Sequence, residues 1–285
     1  MTSSLSTTCT RGGIPRIIHQ TWKNHDIPYE WQISQDEWQR HHPDWQYILW
    51  TDEDIREYME AEHPEFMPLF NRYPHNIQRV DMMRYFILYD FGGVYCDLDQ
   101  YPLQNIEEYL ETDAQAYFVH SANANCFTNS LMASQRHAPI WKEVHQRLWQ
   151  RDPWWAVGKH LEVMTSTGPM MLNDVLVNSH QPYAVLPRAK FNPYAQHEIG
   201  EVACRKHTVM MSLEGKSWNG IDSWVYCCIL KHWTSFVVGV VVAVVAFIII
   251  FLLTRWRLQR IEAIPLTEVA TYAEAGHTTL ETVDV

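Results

Sequence analysis

The stretch NIQRVDMMRYFILYDFGGVYCDLD, Asn76 to Asp99, decides how the rest of the chain is read. Ile77, Val80, Met83, Phe86 and Ile87 recur at helical spacing, so the spacing predicts a helix over 76–91. Gly92-Gly93 ends it, because glycine accepts the left-handed conformation that closes a helix. VYCDLD then reads as a short strand. Successive strand residues face opposite sides, so Asp97 and Asp99 are expected on one side and Leu98 on the other. At the carboxyl end of a strand in an α/β sheet, that side opens on the ligand crevice.

Two carboxylates so close together repel unless a proton or a cation lies between them. Oxygen-only ligands suit Mg²⁺ or Mn²⁺, which usually complete their shell with substrate phosphates. A divalent ion bridging to a diphosphate offsets the charge that develops when the diphosphate leaves. The pair therefore points to a nucleotide-diphosphate donor and a group transfer. D-x-D alone occurs in many solvated turns, and its surroundings carry the reading. Asp81 and Arg84 lie three residues apart, on one face of the preceding helix. Such a pair is more often a structural ion pair. Here Arg84 is a candidate clamp for a phosphate or a sugar hydroxyl, with Asp81 ordering it.

Working outward, IPRIIHQTW (Ile14–Trp22) reads as a first strand with Pro15 at its entry. WQYILWTD (Trp45–Asp52) reads as a second, with Thr51-Asp52 capping a helix that begins EDIREYM. AYFVHS (Ala116–Ser121) is a further strand and APIWKEVHQRLWQ (Ala138–Gln150) an amphipathic helix. Strands alternating with helices argue an α/β fold. Residues 1–13, rich in hydroxyl and glycine residues, and the polar, acidic tail 254–285 are expected to be disordered. Thr167-Gly168-Pro169 reads on its own as a turn.

The 285 residues suffice for one sizeable domain plus extras, and 47% apolar content with 13 Trp excludes a disordered chain. The net charge of −11, with no basic run before the C-terminal region, argues against nucleic acid as a partner. Cys9, Cys96, Cys126, Cys204, Cys227 and Cys228 show neither a CxxC pair nor zinc spacing, so mostly free, buried thiols are expected. His41-His42, beside Pro43 and Asp44, is expected in a surface turn.

FVVGVVVAVVAFIIIFLL (Phe236–Leu253) carries no charge, and Trp233 and Trp256 flank it. A helix of roughly 20 apolar residues crosses a bilayer, and tryptophans anchor its ends. Residues 236–253 are therefore read as a transmembrane helix after a catalytic domain over 14–230. Arg255, Arg257 and Arg260 favour a cytoplasmic C-terminus and a lumenal domain. Against that orientation, MTSSLSTTCTRGG shows no apolar signal region; the lack of an N-x-S/T sequon bears on neither side.

Together, IPRIIHQTWK, HPDWQYILWTD, IQRVDMMRYFILYDFGGVYCDLD, SLMASQRHAPIW and TSTGPMML resemble the DxD glycosyltransferases of the yeast outer-chain mannosyltransferase type. Within that type the resemblance runs to the catalytic subunits of fungal mannosyl-inositol-phosphorylceramide synthases, over about residues 14–253, including GKSW and the span. It implies a GT-A fold, a nucleotide-sugar donor such as GDP-mannose, and Mn²⁺ or Mg²⁺. It implies an inositol phosphorylceramide acceptor and a regulatory membrane subunit as partners, and a Golgi or other endomembrane location. By resemblance, Asp81 and Arg84 hold the donor sugar, and Asp97 and Asp99 hold metal and diphosphate. His19, Gln20, Trp22 and Asn129 line the donor site, and Ser217 and Trp218 close over the metal and the leaving oxygen. The resembling synthases carry an N-terminal anchor not seen here, and QYPLQNIEEYL and HSANANCFTNS differ from their pattern. A related enzyme with another donor or a glycan acceptor, and a non-catalytic membrane subunit, are the alternatives. A two-carboxylate hydrolase lacks the further ligands it would need.

Overall fold

The computed structural model describes residues 8–121, 126–151, 155–192, 208–213 and 220–262. In chain order the elements are β1 (Ile17–Thr21), α1 (Tyr29–His41), β2 (Gln46–Trp50), α2 (Asp52–Glu62), α3 (Met67–Arg72), α4 (Asn76–Asp90), β3 (Gly93–Cys96), β4 (Gln100–Pro102), β5 (Ala116–His120) and β6 (Phe127–Ser134). They continue with α5 (Ile140–Gln150), α6 (Lys159–Ser166), α7 (Pro169–Asn178), β7 (Ala184–Leu186), α8 (Arg188–Phe191), β8 (Met210–Ser212), α9 (Ile221–Lys231) and α10 (Trp233–Glu262). The chain divides into two units, 1–222 and 223–285.

In the first unit six strands form one sheet in the order β2-β1-β3-β6-β5-β7. β2, β1 and β3 run parallel, β6 runs against both β3 and β5, and β7 is parallel to β5. The expected α/β class is the one observed. The single reversed strand has a local consequence. The start of β6 lies at the same edge as the carboxyl ends of β1 and β3, so Asn129 arrives there from the opposite direction. Alternate strand residues feed two cores. Tyr95, Ala116 and Phe118 join α4, α5 and α7 on one face. Ile18, Val94, Tyr117 and Val119 join Trp38 of α1 on the other.

The α4–β3 junction follows from its glycines. α4 closes with Phe91 N–H donating to the Ile87 carbonyl and Gly92 N–H to that of Leu88. Gly92 and Gly93 hold φ of +62° and +89°. A Cβ on Gly93 would lie 2.5 Å from the Ile17 carbonyl oxygen, and one on Gly92 would lie 2.7 Å from that of Ser134. Only glycine allows β3 to enter the sheet this tightly. At α2, Thr51 and Asp54 form the capping box that its sequence predicts.

Three expectations are corrected. Thr8–Gly13 belong to the fold: Thr10 N–H donates to the Ile14 carbonyl at 2.8 Å, and Gly12 packs so close to the Leu110 carbonyl that no side chain fits. His42 is buried, because Trp38 and Trp45 flank its ring and its Nε2 accepts the Ile106 N–H at 3.0 Å. Among the described cysteines no disulfide occurs, and Cys96 is buried whereas Cys9 is exposed.

α10 extends to Glu262, so residues 254–262 are helical rather than part of an irregular tail. Val237–Trp256 is long and apolar enough to cross a membrane, with mean hydropathy 3.3 and nothing buried. Such a surface is stable in lipid, since every backbone group bonds within the helix.

Gly93→Ala is expected to destabilise the protein by at least about 2 kcal/mol, the sum of a strained φ and a backbone clash. The shift in the denaturant midpoint checks this. An unchanged midpoint would mean that β3 tolerates a side chain at its entry.

Candidate active site

The site gathers where β1, β3 and the start of β6 meet the first half of α4. α4 runs antiparallel to the strand that follows it, so its early residues reach the carboxyl edge of β3. Arg84 lies fully inside, its side chain 3% exposed. Its Nη2 pairs with Asp81 Oδ1 at 2.9 Å and its Nη1 with Asp97 Oδ1 at 3.0 Å. Nη1 also donates to the Asn129 carbonyl at 2.8 Å, and the guanidinium lies over the Tyr95 ring at 4.5 Å. Its Nε–H is buried without a hydrogen-bond partner. The i,i+3 pair read from sequence is thus the hub that joins α4 to the DxD segment.

A second tier holds Asp81. Asn129 Nδ2 donates to its Oδ1 at 3.0 Å and Thr167 Oγ1 to its Oδ2 at 3.2 Å. Tyr85 Oη donates to the Thr167 carbonyl at 2.7 Å and accepts from Asn129 Nδ2 at 3.2 Å. Gln78 Nε2 donates to Ser166 Oγ at 2.8 Å. The segment Thr167-Gly168-Pro169 is therefore more than a turn. It ends α6, starts α7 and supplies a hydroxyl to Asp81. The site roles of Tyr85 and Tyr95 escape a motif reading because each looks apolar in one dimension, and TSTGPMML marks Thr167 without saying what it holds.

The DxD segment departs from its sequence reading. β3 stops at Cys96, and Asp97–Gln100 is a tight turn, closed by Gln100 N–H to the Asp97 carbonyl at 3.0 Å. Asp99 is therefore not a strand residue, and alternation does not set its direction. Leu98 is buried and the chain must turn to begin β4, which pairs with β8. Backbone bonds pin the turn: Asp97 N–H to the Ser130 carbonyl at 2.8 Å, and Leu213 N–H to that of Asp99 at 2.6 Å. Asp97 gives Oδ1 to Arg84 and to the Tyr95 hydroxyl, which donates at 2.8 Å, and its side chain stays 30% exposed.

The residues of β1 differ in kind. His19 is enclosed in the core: its Nε2 pairs with the Gly92 carbonyl at 3.0 Å and its Nδ1 accepts the Trp50 indole N–H at 3.1 Å. Both ring nitrogens are thus engaged within the protein. Burial lowers its pKa to about 4, so the ring is neutral at physiological pH. Gln20 is also buried, and its Nε2 reaches the Asp97 carbonyl at 3.4 Å while its Oε1 accepts from Tyr47 at 2.7 Å. It supports the DxD turn from below. Trp22 is half-buried, edge-on to Trp31 at 4.5 Å between ring centres. Ser217 and Trp218 lie outside the described residues, which stop before them at Leu213, hydrogen-bonded to Asp99.

Burial raises Asp99 to about 7, with the Asp97 charge adding to it. Burial also raises Asp81 to about 6, against the pull of Arg84. For Arg84 burial acts downward, but Asp97, Tyr95 and Asp81 outweigh it and the net direction is up. The guanidinium is a permanent cation. Among the described residues, no group of three or more His, Cys, Asp or Glu is placed to hold a metal ion.

Asp81 and Asp99 both bind protons more tightly folded than unfolded. Their stabilising share is therefore fully present below the unfolded carboxylate range and is lost as pH rises through about 6 to 7. The melting temperature of the metal-free protein is expected to fall between pH 5.5 and pH 8, roughly, and Asp99→Asn to flatten that slope. A wild-type slope of opposite sign would overturn this assignment of protons.

The family described as glycosyltransferase sugar-binding region containing DXD motif matches residues 28–118. Inositol phosphoceramide mannosyltransferase 1 of Schizosaccharomyces pombe is 33% identical over 254 residues, covering 85% of this chain and 73% of that protein. Inositol phosphoceramide mannosyltransferase 3 of the same yeast is 34% identical over 227 residues, 78% of this chain and 61% of its own length. Of solved structures, the glycosyltransferase GlyE of Streptococcus pneumoniae matches at a TM-score of 0.44 and 13% identity, over 79% of this chain and 64% of that one. At that likeness it carries no argument about the site. The relatives' identity and coverage, with the DXD match across the segment that builds the site, place the chain: it belongs to the DXD glycosyltransferase family of the inositol phosphoceramide mannosyltransferases.

Proposed function

We propose that the protein transfers mannose from GDP-mannose to the headgroup of an inositol phosphorylceramide in a membrane. The observation that carries the reading is Arg84, a buried cation held between Asp81 and Asp97 with one N–H left without a partner. An unpartnered buried donor is costly unless a ligand completes it. A donor sugar hydroxyl or phosphate oxygen is the chemistry that fits. Asp81, fixed by Asn129 and Thr167, orients Arg84 and is itself placed to accept a sugar hydroxyl.

Asp97 and Asp99 would hold Mn²⁺ or Mg²⁺. The fit rests on the donor set: two carboxylates carried on one tight turn, Asp97 with its side chain 30% exposed, and Asp99 raised to about 7 first by burial and then by the Asp97 charge. Two carboxylates leave most positions of an octahedral ion to phosphates and water. A bound divalent ion supplies charge neutralisation for the departing diphosphate. Asp99 would hold the ion as the ionised carboxylate, and Asp97 would do so while keeping its pair with the Arg84 guanidinium. Arg84, being planar and permanently charged, would orient the donor while holding Asp97 in place. Trp22 is proposed to line the nucleotide, and Ser217 and Trp218 to close the site.

The span Val237–Trp256 supports a membrane-bound enzyme. The arginines that follow it support a catalytic unit in the lumen of an endomembrane compartment such as the Golgi. A tethered enzyme meets a lipid acceptor at raised effective concentration, which favours a lipid over a soluble glycan.

The test is the purified full chain with Mn²⁺, a panel of nucleotide sugars, and vesicles containing inositol phosphorylceramide. GDP-mannose is expected to give mannosylated lipid. Transfer from another nucleotide sugar, or only to a free oligosaccharide, would replace the proposed donor or acceptor. Asp99→Ala is expected to abolish transfer while leaving the circular-dichroism spectrum unchanged, and near wild-type turnover would remove the metal assignment. Arg84→Lys keeps the charge but loses the planar fork, and is expected to lower kcat by about a hundredfold. A variant that loses thermal stability but keeps its turnover would make Arg84 purely structural.

A further inference from the structure

We infer that Trp155, Val157 and Ile221 form a small apolar patch by which the catalytic unit rests on the lipid surface. It rests on the reading that α10 spans a bilayer. The three side chains are 49%, 83% and 84% exposed. They come from separate parts of the chain, yet Asp222 brings those parts together. Its Oδ2 accepts the His160 N–H at 2.7 Å, and it approaches Gly158 so closely that a Cβ there would lie 3.2 Å from that oxygen. Val157 and Ile221 each immediately precede one of these touching residues. Gly158, at φ +85°, makes the sharp entry into α6 that leaves the residues before it protruding.

Large apolar side chains on a protruding loop lose free energy in water, and tryptophan favours the membrane interface. The occupant is fixed by the chain itself. About 15 residues separate Asp222 from the span at Val237, a length of helix of about 22 Å. The length of this tether limits how far the patch can stand from lipid.

The position of the patch relative to the site gives it a purpose. α6 starts at the patch and ends at Ser166 and Thr167, which hold Gln78 and Asp81. Eight helical residues span about 12 Å. Contact of the patch with lipid therefore brings the Asp81–Arg84 hub within about one short helix of the surface. That separation suits a phosphoinositol headgroup standing out of the bilayer. The patch would orient the unit as well as tether it, and orientation is worth more than proximity alone.

The experiment uses the full chain in phosphatidylcholine vesicles, with the photocrosslinker p-benzoylphenylalanine placed in turn at Val157, at Val244 in the span and at Glu60 on exposed α2. Lipid adducts are expected at Val157 and Val244 and not at Glu60. Adducts at Val244 alone overturn the patch and leave the span standing. Failure at both removes the span and the patch together. Adducts from Val157 to protein rather than lipid also overturn it. In a second measurement, the double variant Val157→Asp, Ile221→Asp is expected to mannosylate vesicle-embedded inositol phosphorylceramide about tenfold more slowly, equivalent to about 1.4 kcal/mol. Its donor hydrolysis is expected to be unchanged. Equal loss of both activities, or of neither, would overturn the proposal.

Discussion

Everything at the site depends on one buried cation. Arg84 is almost wholly buried, so its charge must be answered largely from within, and it is answered by Asp81, Asp97 and the face of Tyr95. A permanent charge in such a place would be strongly destabilising if either carboxylate were lost. The same constraint fixes three elements relative to one another: α4 through Asp81 and Arg84, the end of β3 through Asp97, and the start of β6 through the Asn129 carbonyl. The electrostatic answer to burial and the geometry of the site are thus one arrangement.

Much of that arrangement was legible in one dimension. The helical spacing of 76–91, the two glycines and the paired aspartates identify the helix, the turn and the crevice, because each depends on local chemistry. What stayed hidden depends on partners remote in sequence. That Asp99 leaves the strand follows from the burial of Leu98 and the pairing of β4 with β8, over a hundred residues on. His19 resembles a ligand residue, yet the Gly92 carbonyl and Trp50 enclose it. His42 was misread for a similar reason: its polar neighbours suggest a surface turn, and only the packing of Trp38 and Trp45 shows otherwise. Thr167 lies in an unremarkable loop until Asp81 is found against it.

The reversed strand β6 gives the site its economy of means. Parallel strands bring only their carboxyl ends to the crevice, where loops would have to supply every further group. An antiparallel neighbour brings an amino end instead, so Asn129 contributes a carbonyl to Arg84 and an amide to Asp81 from within regular structure. Groups carried on strands and helices hold their positions more closely than groups on loops.

The separation of these partners along the chain bears on how the protein matures. Arg84 meets Asn129 across 45 residues, and Asp81 meets Thr167 across 86. Contacts of such range form late, because long loops must close before they gain anything. The charged hub is therefore among the last features completed as the catalytic unit emerges. Partly folded chains expose Arg84 and its carboxylates to water as ordinary solvated ions, with no shaped place for a donor. Competence of the site for glycosyl transfer thus arrives only with the finished fold.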